Sequence, residues 1–213
     1  MLARFLVAVV AMVVVVAAAN YLVQFPVQAQ LGPINLADLL TWGAFSYPIS
    51  FLITDLTNRN LGPQMARRVV VCGFAAAVVL SVWLATPRIA IASGTAFLLA
   101  QLLDISIFDR LRRGKWWHAP LFSSLVSSAL DTIFFFSIAF ATPFAVLDTM
   151  FGRADGSLAF PAPLLGVGPE VELWQSLAAG DFLVKLLIAA LCLAPYGALL
   201  GFLRDRSAQS ASA

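Results

Sequence analysis

Six long apolar stretches, separated by short clusters of Pro, Gly and charged residues, make up most of the chain. The first predicted helix runs from about Leu2 to Val23 and carries no charge after Arg4. The second covers about Ala37 to Asp55, with a kink expected at Pro48. The third covers Val69 to Ala85 and turns at Pro87 and Arg88 into the fourth, Ile89 to Phe108; the fifth covers Ala119 to Ala141. A loop rich in Pro and Gly follows, with Pro161, Pro163, Gly166, Gly168 and Pro169. Within it, Glu170 to Ala179 reads as a short interfacial helix that presents Trp174 to lipid. The sixth predicted helix is Asp181 to Leu203, bent at Pro195 and Gly197, and the Ser/Ala tail 207–213 reads as disordered.

A helix needs about 20 residues to span a bilayer. The expected fold is therefore an all-α integral membrane protein, a bundle of six transmembrane helices in one domain over residues 1–206. A cleaved signal peptide is the other reading of the first stretch, because Arg4 precedes the apolar run and Ala17-Ala18-Ala19 resembles a cleavage site. The run is long enough to span, and a second span follows shortly.

Composition agrees with the pattern. Of 213 residues, 61% are hydrophobic and 11% charged, with a mean hydropathy of +0.92. Soluble domains average about 25% charged residues. The net charge is only +2, but its distribution is lopsided. With the N-terminus inside, ten basic residues face the cytoplasm: Arg4, Arg59, Arg67, Arg68, Arg110, Arg112, Arg113, Lys115, Arg204 and Arg206. Arg88 and Arg153 face out, and Lys185 lies within a helix. The positive-inside rule then places both termini in the cytoplasm and the long loop outside. Trp116 and Trp117 fall where an interfacial aromatic belt is expected. Cys72 and Cys192 lie in apolar runs and read as packed thiols, not as a disulfide or metal pair.

Ionisable residues at membrane depth are costly and are functional candidates by default. Here they are Asp104, Asp131 and Lys185. Asp38, Asp55 and Asp181 sit at predicted helix ends, where interfacial water is the simpler explanation. Ser124, Ser128, Asp131 and Phe135 form one helical stripe, flanked by Ser127 and Thr132. Phe97, Gln101, Asp104 and Phe108 form another, and Asp181 shares a face with Lys185. Three such stripes facing one another would enclose a cavity. Helix–helix packing is the other reading of the serines. By helical rise, Gln101 and Asp131 lie about 18 and 16 Å from the outer ends of their helices, and Asp104 about 22 Å, in the inner half. Asn20, at the end of the first helix, completes the candidate set.

Four segments resemble the queuosine precursor transporter family, grouped with the vitamin uptake transporter-like proteins. They are Thr54-Asp55-Leu56-Thr57-Asn58-Arg59 with Gly62; the run from Ala96 through Gln101, Asp104 and Phe108 to Trp116-Trp117; Ser128-Ala129-Leu130-Asp131-Thr132 with Phe134-Phe135-Phe136 and Ala139-Phe140; and Asp181-Phe182 with Lys185 and Pro195-Tyr196-Gly197. The family often carries an acidic residue where Arg59 stands, which argues against a direct substrate role for Arg59. The resemblance implies uptake of the 7-cyano and 7-aminomethyl 7-deazaguanines used to build a modified tRNA base. One carboxylate can accept the adjacent N–H donors of a guanine-like edge. Asp131 is the candidate for that role, Gln101 or Lys185 for a donor to the ring carbonyl, and Phe97, Phe108, Phe134 and Phe135 for the walls.

The implied partners are this small molecule and the lipid bilayer, with no nucleic acid and no cofactor; a homodimer is left open. The alternative is a substrate-binding subunit of an energy-coupling-factor system with an ATPase module. The alanines at 3, 8, 11, 17, 18 and 19 lack the Ala-x-x-x-Ala spacing many such subunits carry, so an ATPase partner is not expected. An enzyme is not expected either. The lone His118 lies at a predicted helix edge, no His-Glu-x-x-His motif occurs, and an Asp104–Asp131 dyad would have to bridge about 6 Å of depth.

Overall fold

The computed structural model describes residues 1–152 and 158–211. Among them, five helices are long and apolar enough to cross a membrane: Leu2–Leu22, Pro63–Ser81, Pro87–Leu111, His118–Phe140 and Leu173–Phe202. The full helices are α1 (Leu2–Leu22), α2 (Trp42–Ser46), α3 (Ile49–Leu61), α4 (Pro63–Leu84), α5 (Pro87–Leu111), α6 (His118–Phe140), α7 (Val146–Phe151) and α8 (Leu173–Ala211).

The second predicted span is broken. Pro48 brings no N–H to a helix ladder, and the chain passes from α2 to α3 through Tyr47 and Pro48. The broken segment nonetheless reaches from the middle of α6 to the C-terminal end of α5. Tyr47 near its start bonds Asp131 in α6, and Arg59 near its end bonds the carbonyl of Arg112 just past α5. A single residue, Gly62 at φ +86°, then joins α3 to α4, a left-handed conformation suited to glycine. Pro63 opens α4 with a fixed φ and no N–H to satisfy. Thr86 caps α5, accepting a hydrogen bond from the Ile89 N–H at 3.4 Å, again with Pro in the first turn.

Three elements differ from the sequence reading. Glu170 to Ala179 is not a separate interfacial helix: Glu170–Glu172 is strand β4, paired antiparallel with β3 (Pro161–Pro163), and α8 already begins at Leu173. Backbone pairing with the proline-rich strand claims those residues first. A second small hairpin, β1 (Gln30–Leu31) with β2 (Ile34–Asn35), lies between α1 and α2. Helix α8 continues to Ala211, into the segment read as a disordered tail; residues 212–213 lie outside the described residues, as do Arg153 and Asp155 of the long loop.

The core sits where α1, α3, α4 and α5 meet, around Met12, Val16, Ala66, Val69, Val70, Phe97 and Ile105. The most extensive helix pair is α5 with α6. Small residues Ala92, Ala96 and Ala100 are buried on α5, and Ser123, Ser124, Ser127 and Ser128 on α6, so the two backbones approach closely. At one end of this pair Arg88 is buried. Its guanidinium donates to Asp148 of α7 at 2.5 Å and to the carbonyls of Ile138 and Ala141 at 2.8 and 2.7 Å. What the sequence suggested as an exposed basic residue is a clamp fastening α5, α6 and α7.

Candidate functional site

A cavity of ≈370 Å³ opens among the helix ends that lie away from most of the basic residues. Its wall takes residues from the C-terminal ends of α1 and α4, the N-terminal end of α5, and the facing halves of α6 and α8. Most of that wall is apolar, with Ala96, Phe135, Phe136 and Phe140 among its members. The charged groups lining it are Asp131, Asp181 and Lys185.

These three form one network with Tyr47 and Thr132. Lys185 Nζ donates to Asp131 Oδ2 at 2.7 Å and to Thr132 Oγ1 at 3.1 Å, and it pairs with Asp181 one helical turn earlier on α8. Tyr47 OH donates to the other Asp131 oxygen at 2.9 Å, and Thr132 Oγ1 donates to Asp181 at 2.9 Å. Lys185 also lies 5.5 Å from the centre of the Tyr47 ring. Helical spacing explains the convergence: Asp181 and Lys185 stand four apart on one face of α8, and Asp131 and Thr132 end the buried stripe of α6. Two carboxylates thus share one ammonium. A carboxylate offers about four acceptor positions. Asp131 uses one on each oxygen, so it retains acceptor capacity toward the cavity.

Beneath this floor, α3 carries a buried polar face inward. Gln101 donates to Ser50 Oγ at 2.8 Å and accepts from Thr54 Oγ1 at 2.6 Å. Next come Asp55 and Asp104, which face each other with Ser123 beside them. Asn58 then donates to the Ile105 carbonyl at 3.1 Å. The column ends in a plug at the basic end. Arg59 donates to Tyr196 OH at 2.9 Å and to the Arg112 carbonyl at 2.6 Å, and its guanidinium lies 5.0 Å from the centre of the Phe108 ring. Trp116 stacks on Tyr196, which is fully buried.

Of the residues singled out in the sequence, Asp131, Lys185, Phe135 and Asn20 line the cavity, and Thr132 braces its floor. Gln101 does not reach Asp131; its amide is taken up by Ser50 and Thr54. Phe97 packs edge-on against Tyr47 at 6.2 Å inside the apolar core. Phe134 packs with Ala92 and Ile138, and Phe108 sits under Arg59, so neither is among the cavity-lining residues. Ser127 and Ser128 are buried, their hydroxyls without hydrogen-bond partners among the described residues. Asp104 lies against Asp55 rather than Asp131. Asp55, expected at a wet helix end, is 1% exposed, because the broken helix continues six residues beyond it to Leu61. Tyr47 was missed. Its position just before Pro48 marked a kink, but nothing in the local pattern joined it to Asp131, 84 residues away.

Comparisons with known proteins identify the family. A family model described as "Putative vitamin uptake transporter" matches residues 41–199. The chain is 35% identical to the "Queuosine precursor transporter" of Escherichia coli (strain K12), over 91% of this chain and 85% of that protein. It is 33% identical to the "Probable queuosine precursor transporter" of Haemophilus influenzae, over 87% and 82%. A similarly named Bacillus subtilis protein is 24% identical over 73% and 69%. No solved structure matches the chain. The matched segment runs from the start of the broken helix to the last turns of the apolar part of α8, taking in both the cavity floor and the plug at the basic end, and the chain belongs to the vitamin uptake transporter family.

Proposed function

We propose that this protein imports queuosine precursors, the 7-cyano and 7-aminomethyl 7-deazaguanines, across a bacterial inner membrane, and that the cavity above Asp131 receives them. The observation that carries the reading is the acid-rich floor of an otherwise apolar cavity: Asp131 and Asp181 around Lys185, with Tyr47 fixing Asp131 from the side. A flat guanine-like ring fits between apolar walls, and its adjacent N–H donors find the unused acceptor positions of Asp131. An adenine-like ring lacks that donor pair and would leave the carboxylate unsatisfied, the kind of mismatch that polar sites reject strongly. Phe135 is the wall aromatic on the same stripe as Asp131.

In the proposed topology the broken helix α2–α3 is the sixth crossing and both termini are cytoplasmic. The lopsided basic residues support it, as does the reach of that segment from Asp131 to Arg112. The cavity then opens outward, and the Arg59–Tyr196–Phe108–Trp116 plug closes the cytoplasmic side. Import requires this plug to part once the cavity has closed over its ligand, the exchange of two packed arrangements that transporters use for alternating access. The energy-coupling-factor alternative is not favoured, since the relatives are named as transporters rather than as binding subunits.

The test is Asp131→Asn. The amide keeps the shape and replaces one acceptor oxygen with a donor. Purified variant protein with a wild-type size-exclusion profile is expected to lose calorimetric binding of 7-aminomethyl- and 7-cyano-7-deazaguanine. Binding as tight as wild type would refute the assignment.

A further inference from the structure

We propose that Asp55 and Asp104 form a proton-binding site, separate from the substrate cavity, through which import is coupled to the proton gradient. The proposal rests on the transport reading above and adds what drives it.

Asp55 is 1% exposed and Asp104 fully buried, and neither lines the cavity. Among the described residues no donor in place hydrogen-bonds either oxygen of Asp104, whose neighbours are Ser123 and Asp55. Ser123 has one proton to donate, and that points to Asp55 at 3.4 Å. Carboxylates only accept, so two of them side by side bond to each other only if one carries a proton. Among the described residues no cation forms an ion pair with either carboxylate, and Arg59 Nη2 is buried without a partner. Lys185 is held by Asp131 and Asp181. Arg59 faces Asp55, but it forms no ion pair with it among the described residues and is bound through Nε and Nη1 to Tyr196 and the Arg112 carbonyl. From α8 the titratable groups facing Asp55 are the Cys192 thiol and the Tyr196 phenol. From α6 Ser123 donates to it, and the α4 arginines Arg67 and Arg68 are exposed, as is Arg4 of α1. The sides of α1 and α4 turned toward α5 here are apolar: Met12, Ala66, Val69 and Val70. One proton shared between Asp55 and Asp104 supplies the missing hydrogen bond and leaves a single buried charge beside Arg59.

A connection to the substrate is built into α6. Ser123, Ser127 and Asp131 stand four apart on its buried stripe, so the proton site lies roughly 12 Å along the helix from the cavity floor. The rung between them, Ser127, and its neighbour Ser128 have buried hydroxyls with no partner among the described residues. These groups are placed to relay or sense a change of charge between the two sites. The pair also lies close to the inner plug: Arg59, which closes it, is one turn beyond Asp55 on α3. Releasing the proton toward the cytoplasm would leave a second charge there, and swinging Arg59 to meet it would break the contacts to Tyr196 and Arg112.

The experiment uses the full chain in liposomes, with labelled 7-aminomethyl-7-deazaguanine as the probe. Counterflow exchange without a pH gradient tests transport itself; accumulation under an imposed gradient tests coupling. Wild type is expected to do both. Asp55→Asn and Asp104→Asn are expected to keep exchange and lose gradient-driven accumulation, falling to the level seen with no gradient. Accumulation equal to wild type in both variants, or wild-type accumulation indifferent to the gradient, overturns the proposal. No wild-type exchange overturns the transport reading, and the proposal falls with it. Infrared difference spectra between neutral and alkaline samples give a second readout independent of transport. A carboxylic-acid carbonyl band is expected in wild type and in Asp131→Asn, lost in Asp104→Asn and shifted in Asp104→Glu. Absence of the band from wild type, or a band unmoved in a folded Asp104 variant, overturns the proposal.

Discussion

Lys185 has three N–H donors, and all three are used, by Asp131, Asp181 and Thr132. Its four-carbon stem reaches from α8 to α6, and the charged tip is only 3% exposed with the rest of the residue. Removing one partner of a buried ion pair costs about 3–5 kcal/mol, because the other charge is left unpaired. Lys185→Met is therefore expected to lower thermal stability in detergent and to abolish precursor binding, whereas Lys185→Arg keeps the charge and loses less of both. Melting curves and calorimetry on the two variants check this, and equal behaviour of both with wild type would remove Lys185 from the mechanism. Tyr47 acts more narrowly, through one hydrogen bond to a charged acceptor, an interaction worth about 1.5–3 kcal/mol. Tyr47→Phe is expected to destabilise by that order in a chemical unfolding series while leaving the Lys185 pair intact.

Helices α1, α4 and α5 meet where a side chain is missing. A Cβ on Gly73 would lie 2.6 Å from Met12 Cγ and 3.3 Å from Phe97 Cζ. Lipid gives no hydrophobic drive for helix association, so close packing of this kind holds the bundle together. Gly73→Leu is expected to destabilise by about 1–3 kcal/mol or more through overpacking, read as a lower melting temperature and a broadened size-exclusion peak. At the N-terminal end of α5 the Arg88 clamp does comparable work by polar means. Arg88→Met leaves Asp148 and two carbonyls without their donor, so α7 should detach from α5 and α6. Faster proteolysis near Phe151 than in wild type would show it; an unchanged cleavage pattern would mean that the clamp is dispensable.

The cavity opens at one end of the molecule and the Arg59 plug closes the other, so orientation decides what the resting form is ready to bind. In a variant lacking Cys72 and Cys192, a cysteine at Val167 in the long loop is expected to react with an impermeant reagent in intact spheroplasts. A cysteine at Asn20, on the cavity wall, should react from the same side and be protected by the precursor. Labelling of both only after lysis would invert the topology and make this form inward-open.

Much of this was legible in the chain because membrane helices are written locally. Lipid demands about 20 apolar residues per crossing, and polar residues at that depth stand out against them. Asp131, Lys185, the serine stripe of α6 and the Gln101–Asp104 face could be read from spacing alone, since 3.6 residues per turn fixes which side chains share a face. What the spacing left open was which stripe meets which. The second span is divided at Pro48, and only packing decides that its first piece delivers Tyr47 to Asp131 while its second buries Asp55 beside Asp104. Gln101 and Asp131 match in depth, yet α3 lies against Gln101 and takes its amide for Ser50 and Thr54. Pairings over tens of residues depend on the rotation of each helix about its axis, and that rotation is set by the neighbours it packs against rather than by its own sequence.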